Sequence, residues 1–144
     1  VIQFRVHEKS MKRLKEKIRE RTNRRSPIPM EIRLEKLRQL MTGWINYYQL
    51  AEMTNEMRSI DGFVRRRLRM IRWREWKTSR NRAKNLVILG MRKDRAWKNA
   101  NTRKGEARIA QSLVLTTTLT NQHFREIGYR EFHNYYLYRK SMAK

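Results

Sequence analysis

Carboxylates, histidines and nucleophiles are the side chains that would let this chain carry out a reaction. Metal-dependent polymerases and nucleases hold two cations on clustered acids. The chain has two aspartates, Asp61 and Asp94, far apart in sequence and each beside Gly or Arg rather than another acid. Its glutamates fall mostly among basic residues of helical stretches, where charge balance along a helix accounts for them. His7, His123 and His133 show neither an HExxH spacing nor a Cys/His one, so a zinc site is not expected. There is no cysteine, which excludes disulfides and thiolate-held metals and suits a reducing compartment. GxSxG, P-loop and GxGxxG patterns are absent as well. The expectation is a chain with no catalytic residue, no metal and no cofactor of its own.

The chemistry that remains is that of cations. Residues 65–77 read RRRLRMIRWREWK, in which seven of thirteen positions are Arg or Lys and two are Trp. Arg offers phosphate a planar fork of donors and stacks on bases. Each neutralised phosphate releases counterions, so such binding depends steeply on salt. Rings among the cations add stacking on unpaired bases, which suits RNA. A membrane-lying helix would instead keep its rings on the apolar side. Trp73 and Trp76 are candidates for base stacking; the competing reading is that they dock the following segment onto the helix. The stretch NTRKGEAR (101–108) has one Gly among basic residues. That is too few for a phosphate-cradling loop, but enough for a basic turn that touches phosphates.

These residues must be positioned by helices. In residues 8–22, Met11, Leu14 and Ile18 recur at spacings of three and four, one stripe of a helix. NRRSPIP (23–29) holds both prolines and breaks it. Residues 31–53 place Leu37, Leu40, Met41, Trp44, Ile45, Tyr48 and Ala51 on one wide face of a second helix. Gly43 within it marks a close approach of another helix, or a kink. Thr54 or Asn55 is the expected cap of a third helix over 55–77. At 100° per residue, Met57, Ile60, Val64, Leu68 and Ile71 share a narrow arc, widened by Phe63 and Met70. Arg65, Arg69 and Arg72 form an outward stripe beside it. Next come a short helix capped by Thr78 or Ser79 and stopped at Gly90, and a basic, turn-rich stretch over 91–110 anchored by Trp97. LVLTTTLTN (113–121) is ambiguous between strand and short helix. Helix resumes over 121–138, broken at Gly128.

The fold class expected is therefore all-α: a small bundle of three main helices, then a basic, mostly helical C-terminal region. The 144 residues fit one medium domain or two small ones. Lys and Arg number 36 against 13 acids, a net charge of +23. The excess is +7 over 1–28, +5 over 29–78 and +11 over 79–144, so the charge belongs to the fold and not to a tail. A polyanion is the expected partner: nucleic acid first, an anionic membrane surface second. No apolar run approaches the length needed to span a bilayer, and VIQFRVHEKSMKR lacks the apolar core of a signal peptide.

Four blocks carry a family resemblance. FRVHEKSMKRLKEKIRERT, LRQLMTGWINYYQLAEM, RRRLRMIRWREWK and AWKNANTRKGEARIAQSLVLTTTLTNQHFREIGY together resemble the C-terminal part of bacterial group II intron-encoded reverse transcriptase–maturases. The likeness runs from about Phe4 to about Tyr138, and GWINYY followed by the basic block at this spacing is its most specific part. It implies a helical thumb, or maturase domain (domain X), over 1–78 and a DNA-binding region over 79–144. It departs from the family where Gly105-Glu106-Ala107 stands in place of a glycine followed by aromatics. The catalytic aspartates of the polymerase are not in the chain, so the reverse transcriptase domain is expected in cis or in trans. With no cysteine, the sequence resembles the kind that lacks a Cys/His endonuclease tail.

The resemblance further implies a protein that binds group II intron RNA to promote splicing, the RNA itself performing the transesterifications. It also implies a grip on template–primer and target DNA during retrohoming, and a place in the bacterial cytoplasm with the intron ribonucleoprotein. Carried onto this sequence, the expected RNA contacts are Arg65, Arg66, Arg69, Arg72, Arg74 and Lys77. Lys12, Lys15, Arg80, Arg82, Arg103, Lys104 and Arg108 are further contacts to RNA or DNA. The alternatives are a ribosomal-protein-like RNA-binding component and a DNA-binding helical module.

Overall fold

The computed structural model of the chain describes residues 5–142. Phe4, where the family resemblance starts, lies outside them. Regular structure among the described residues is helical throughout: α1 (Glu8–Arg21), α2 (Met30–Tyr48), α3 (Thr54–Glu75), α4 (Ser79–Ile88), α5 (Lys93–Ala100), α6 (Glu106–Ala110), α7 (Leu113–Thr118), α8 (Asn121–Glu126) and α9 (Phe132–Met142). The all-α class read from the sequence is the class observed. The chain divides into two compact units, the described residues of Val1–Val64 with Arg125–Lys144, and Arg65–Phe124.

The first unit is built on α1, α2, the start of α3, and α9. His7 caps α1, its Nδ1 accepting from the Lys9 N–H at 3.1 Å. Leu14 and Ile18 are fully buried, as their spacing requires. The proline segment is held from behind by Arg33, which is 2% exposed. Arg33 donates to the carbonyls of Ser26 (2.5 Å) and Ile28 (3.1 Å), so a buried charge and otherwise orphaned loop carbonyls satisfy each other.

In the same unit, α2 buries Leu34, Leu37, Met41 and Ile45 but stops at Tyr48, short of the expected residue 53. The reason lies far along the chain. The Tyr136 hydroxyl donates to the Ala51 carbonyl (2.6 Å) and accepts from the Met53 N–H (3.2 Å), which fixes 51–53 in a non-helical path. Neither Thr54 nor Asn55 caps α3 as expected. The Thr54 hydroxyl donates to Glu52 (2.9 Å), and the Met53 carbonyl accepts from the Met57 N–H (2.9 Å). Gly43 marks no close helix approach either, because a Cβ there would find no atom within 4 Å.

Asp61, 2% exposed, joins α3 to the C-terminal helix. Its carboxylate accepts from the Tyr129 hydroxyl (2.6 Å) and from the Phe132 (2.7 Å) and His133 (2.9 Å) N–H groups. The last two are the first free donors of α9, so an aspartate on one helix caps another. Gly128, at φ +112°, makes the expected break before it.

The second unit holds the rest of α3 through Phe124. Leu68, Ile71 and Trp73 are at most 1% exposed. Thr78 caps α4 by accepting from the Asn81 N–H at 3.2 Å. Gly90, at φ +106°, ends α4 with the Met91 N–H reaching the Leu86 carbonyl and its own N–H the Val87 carbonyl. That is the paired C-terminal motif a glycine in the left-handed region permits. Trp97, the expected anchor, is 42% exposed and lines a hollow of this unit with Val87 and Ile88. Ala96 and Ala100 are the residues of α5 that go inward. The ambiguous stretch is the short helix α7, in which Thr116 (3.0 Å), Thr117 and Thr118 (2.6 Å) each donate to the carbonyl four residues back. That back-bonding satisfies the hydroxyls of a threonine run whose helix propensity is weak.

Candidate nucleic-acid interface

The basic block of α3 separates into cations that serve the fold and cations that face outward. Arg69 is the clearest correction to the expected outward stripe: it is 7% exposed. Its Nε donates to the Leu119 carbonyl (2.8 Å), its Nη2 donates to Asn121 Oδ1 (3.2 Å), and its guanidinium lies 5.4 Å from the Phe124 ring centroid. Burial, and then the neighbouring Arg65 charge, push its pKa down to about 10, which still leaves it charged at neutral pH. Arg69 therefore fastens α3 to the residues after α7. Leu119 and Asn121 lie about fifty positions away in sequence, so helical phase alone did not reveal the contact.

Trp73 is 1% exposed. The Arg82 guanidinium sits 4.5 Å from its ring centroid and the Trp76 ring meets it at 5.9 Å and 60°. Of the two readings for Trp73, docking of the following segment is the one its burial fits. Trp76 is half-buried. Arg82 also donates to the Trp73 carbonyl at 3.2 Å; burial lowers its pKa, partly countered by Glu106. Arg72 pairs with Glu75 (3.0 Å) and Arg74 with Glu106 (3.1 Å). Arg65 and Arg66 are half-buried.

The remaining candidates stand differently. Lys77 and Arg80 are exposed and make no ion pair among the described residues. Lys77 ends α3 at φ 52°, a left-handed conformation that a side chain rarely adopts. Arg80 lines a hollow of about 370 Å³ in the second unit with Lys84, Lys93, Val87, Ile88 and Trp97. Lys84 and Lys93 were not singled out in the sequence, although Lys84 lies four residues after Arg80, on the same helical face. Arg103, Lys104 and Arg108 are exposed around the start of α6. In the first unit Lys12 is exposed and Lys15 half-buried on α1.

The histidines and Asp61 have structural partners. His133 Nε2 accepts from Arg58 at 3.3 Å, and the His123 ring meets Phe124 at 5.5 Å. No group of three or more His, Asp and Glu among the described residues could hold a metal ion. No helix among them is long and apolar enough to cross a membrane.

The family described as "Group II intron, maturase-specific domain" matches residues 11–88, more than half of the chain. The chain belongs to that family. No curated protein matches it significantly. The maturase-specific domain is a non-catalytic part of intron-encoded reverse transcriptases, with a role in splicing. In this maturase domain the matched stretch runs from α1 to the end of α4. It takes in Lys12, Lys15, the whole 65–77 block, Arg80 and Arg82, and leaves Arg103, Lys104 and Arg108 beyond it.

Proposed function

We propose that this maturase domain binds folded group II intron RNA and holds it in the form in which the RNA performs its own splicing steps. The observation that carries the reading is that the family match coincides with the exposed cations Lys12, Lys77 and Arg80 and the half-buried Lys15, with no carboxylate bound to them among the described residues. Arg65, Arg66, Arg72 and Arg74 complete the RNA-facing set. The partly exposed pairs of Arg72 and Arg74 are worth about 0–1 kcal/mol each, so phosphate competes for them readily. Within the second unit Arg69, Arg82 and Trp73 act from inside, by fixing the segments that carry its cations, and Trp76 is left as the ring of the block that can meet a base.

With a reverse transcriptase domain in cis or in trans, the same thumb region over 1–78 grips template–primer. The region over 79–144, with Arg103, Lys104 and Arg108, contacts target DNA during retrohoming. The site of action is the intron ribonucleoprotein in the bacterial cytoplasm. The test is titration of a labelled group II intron RNA over a range of salt. Lys12→Ala and Arg80→Ala should each weaken binding and lower the slope of log K against log salt by about one. Unchanged affinity and slope, with the helical signal in circular dichroism intact, overturns the assignment. Equal affinity for ribosomal RNA at physiological salt favours a general RNA-binding component instead.

A further inference from the structure

Two hollows in the first unit take no part in the site above. One, of about 430 Å³, is lined from α1 and α2. The other, of about 260 Å³, is lined by Arg5, Val6, His7, Leu50 and Ala51 among others. Ser10, Tyr47 and Tyr48 line both, so a step of two aromatic rings divides them. Tyr47 is 80% exposed. Its ring meets Tyr48 at 4.7 Å and 75°, and Tyr48 leans on Trp44 at 4.4 Å. The Tyr48 hydroxyl donates to Ser10 Oγ at 3.2 Å, which ties the step to α1. A large ring left in water on a braced support is available surface, not packing.

The floor and rim of these hollows say what fits. Gly43 lies in the wall of the larger one. A mid-helix glycine costs about 1 kcal/mol relative to Ala, and no packing requires it here, since a Cβ would meet nothing within 4 Å. Its effect is to leave the backbone open to a flat group laid against it. Arg13 and Lys17 line the same hollow and make no ion pair among the described residues. Arg5 lines the smaller one, its nearest carboxylate being Glu56 at 4.0 Å. Among the described residues no Asp or Glu lines either hollow. Rings for stacking, cations for phosphates and the absence of acids describe a seat for unpaired nucleotides. A duplex keeps its base faces stacked inside and could not use the rings.

We propose that the Tyr47–Tyr48 step is a stacking platform for single-stranded RNA, taking successive bases on its two sides with Arg5, Arg13 and Lys17 holding their phosphates. This rests on the RNA-binding reading above and adds a second, unpaired-strand site to it. The experiment measures fluorescence anisotropy of a short labelled oligouridylate and of an RNA duplex of equal length with the full chain. Tyr47→Ala should weaken oligouridylate binding about tenfold or more and leave the duplex within about twofold, while Tyr47→Phe keeps the affinity. Gly43→Leu, filling the floor, should show the same selective loss. Gly62→Leu is the control, because Gly62 is equally open but lines neither hollow. Ultraviolet crosslinking of the oligouridylate, mapped by mass spectrometry, should place it on Tyr47 or Tyr48. Equal oligouridylate affinity of Tyr47→Ala and the unaltered chain overturns the platform and leaves intron binding standing. So does failure of the unaltered chain to bind oligouridylate while it still binds folded intron RNA. Failure to bind either RNA overturns both readings.

Discussion

The arginines of this protein stand in two settings, buried against carbonyls or turned outward, and the neighbours of each residue determine which. Arg33 and Arg69 are buried and spend their donors on carbonyls. Arg82 is partly covered and does the same for Trp73. Arg82→Ala removes a hydrogen bond and a cation–π contact, and should lower stability by about 2 kcal/mol. Urea denaturation measures that loss. The salt slope of RNA binding by the folded variant should stay where it was, because no phosphate contact is lost; a fall of one unit would place Arg82 in the interface. Composition and period could not separate these roles. The apolar arc of α3 was legible because Met57, Ile60, Val64, Leu68 and Ile71 repeat at helical spacing, and all are at most 1% exposed. Arg69 was not legible, because its burial depends on the Leu119 carbonyl and the Phe124 ring, which no local pattern reveals.

At the scale of elements, the starts and stops with local chemistry were legible and those set from a distance were not. Thr78 and Gly90 bound α4 with their own side chain and backbone freedom. The early end of α2 was hidden, since it follows from a hydroxyl on Tyr136. The end of α3 carries the next prediction. Lys77 at φ 52° holds a conformation that costs a side-chain residue about 1 kcal/mol. Lys77→Gly should raise stability by about that amount in thermal or urea unfolding. If Lys77 contacts phosphate, the same variant should bind intron RNA more weakly, so stability and affinity move in opposite directions. A variant that gains in both shows that the conformation serves only the turn.

For the whole molecule, closure of the first unit has a pH signature. Lys140 on α9 donates to Glu52 at 2.5 Å. That bond, with one from Thr54, holds the Glu52 carboxyl below its ordinary 4.5, and the Glu52 and Tyr136 bonds raise the Lys140 ammonium above its ordinary 10.5. The Glu52 contribution to stability is complete above about pH 4.5 and is lost as pH falls through its lowered folded value. The Lys140 contribution is complete below about pH 10.5 and is lost as pH rises through its raised one. Glu52→Gln should therefore flatten the acid limb of stability against pH below 4.5, read by urea midpoints across that range; an unchanged limb shows that the pair is not formed in solution.

The Asp61 cap on α9 also has a consequence for synthesis. The carboxylate sits in the first half of the chain, and the hydroxyl and amides that satisfy it come at 129–133. As the polypeptide leaves the ribosome, α1, α2 and the start of α3 emerge with Asp61 lacking those partners. The cap forms only after the whole of residues 65–124 has followed. Early segments of a nascent chain usually settle first. Here the Asp61 cap that ties α3 to α9 is the part held back, and a long-range closure of this kind is expected to be among the slower steps of folding.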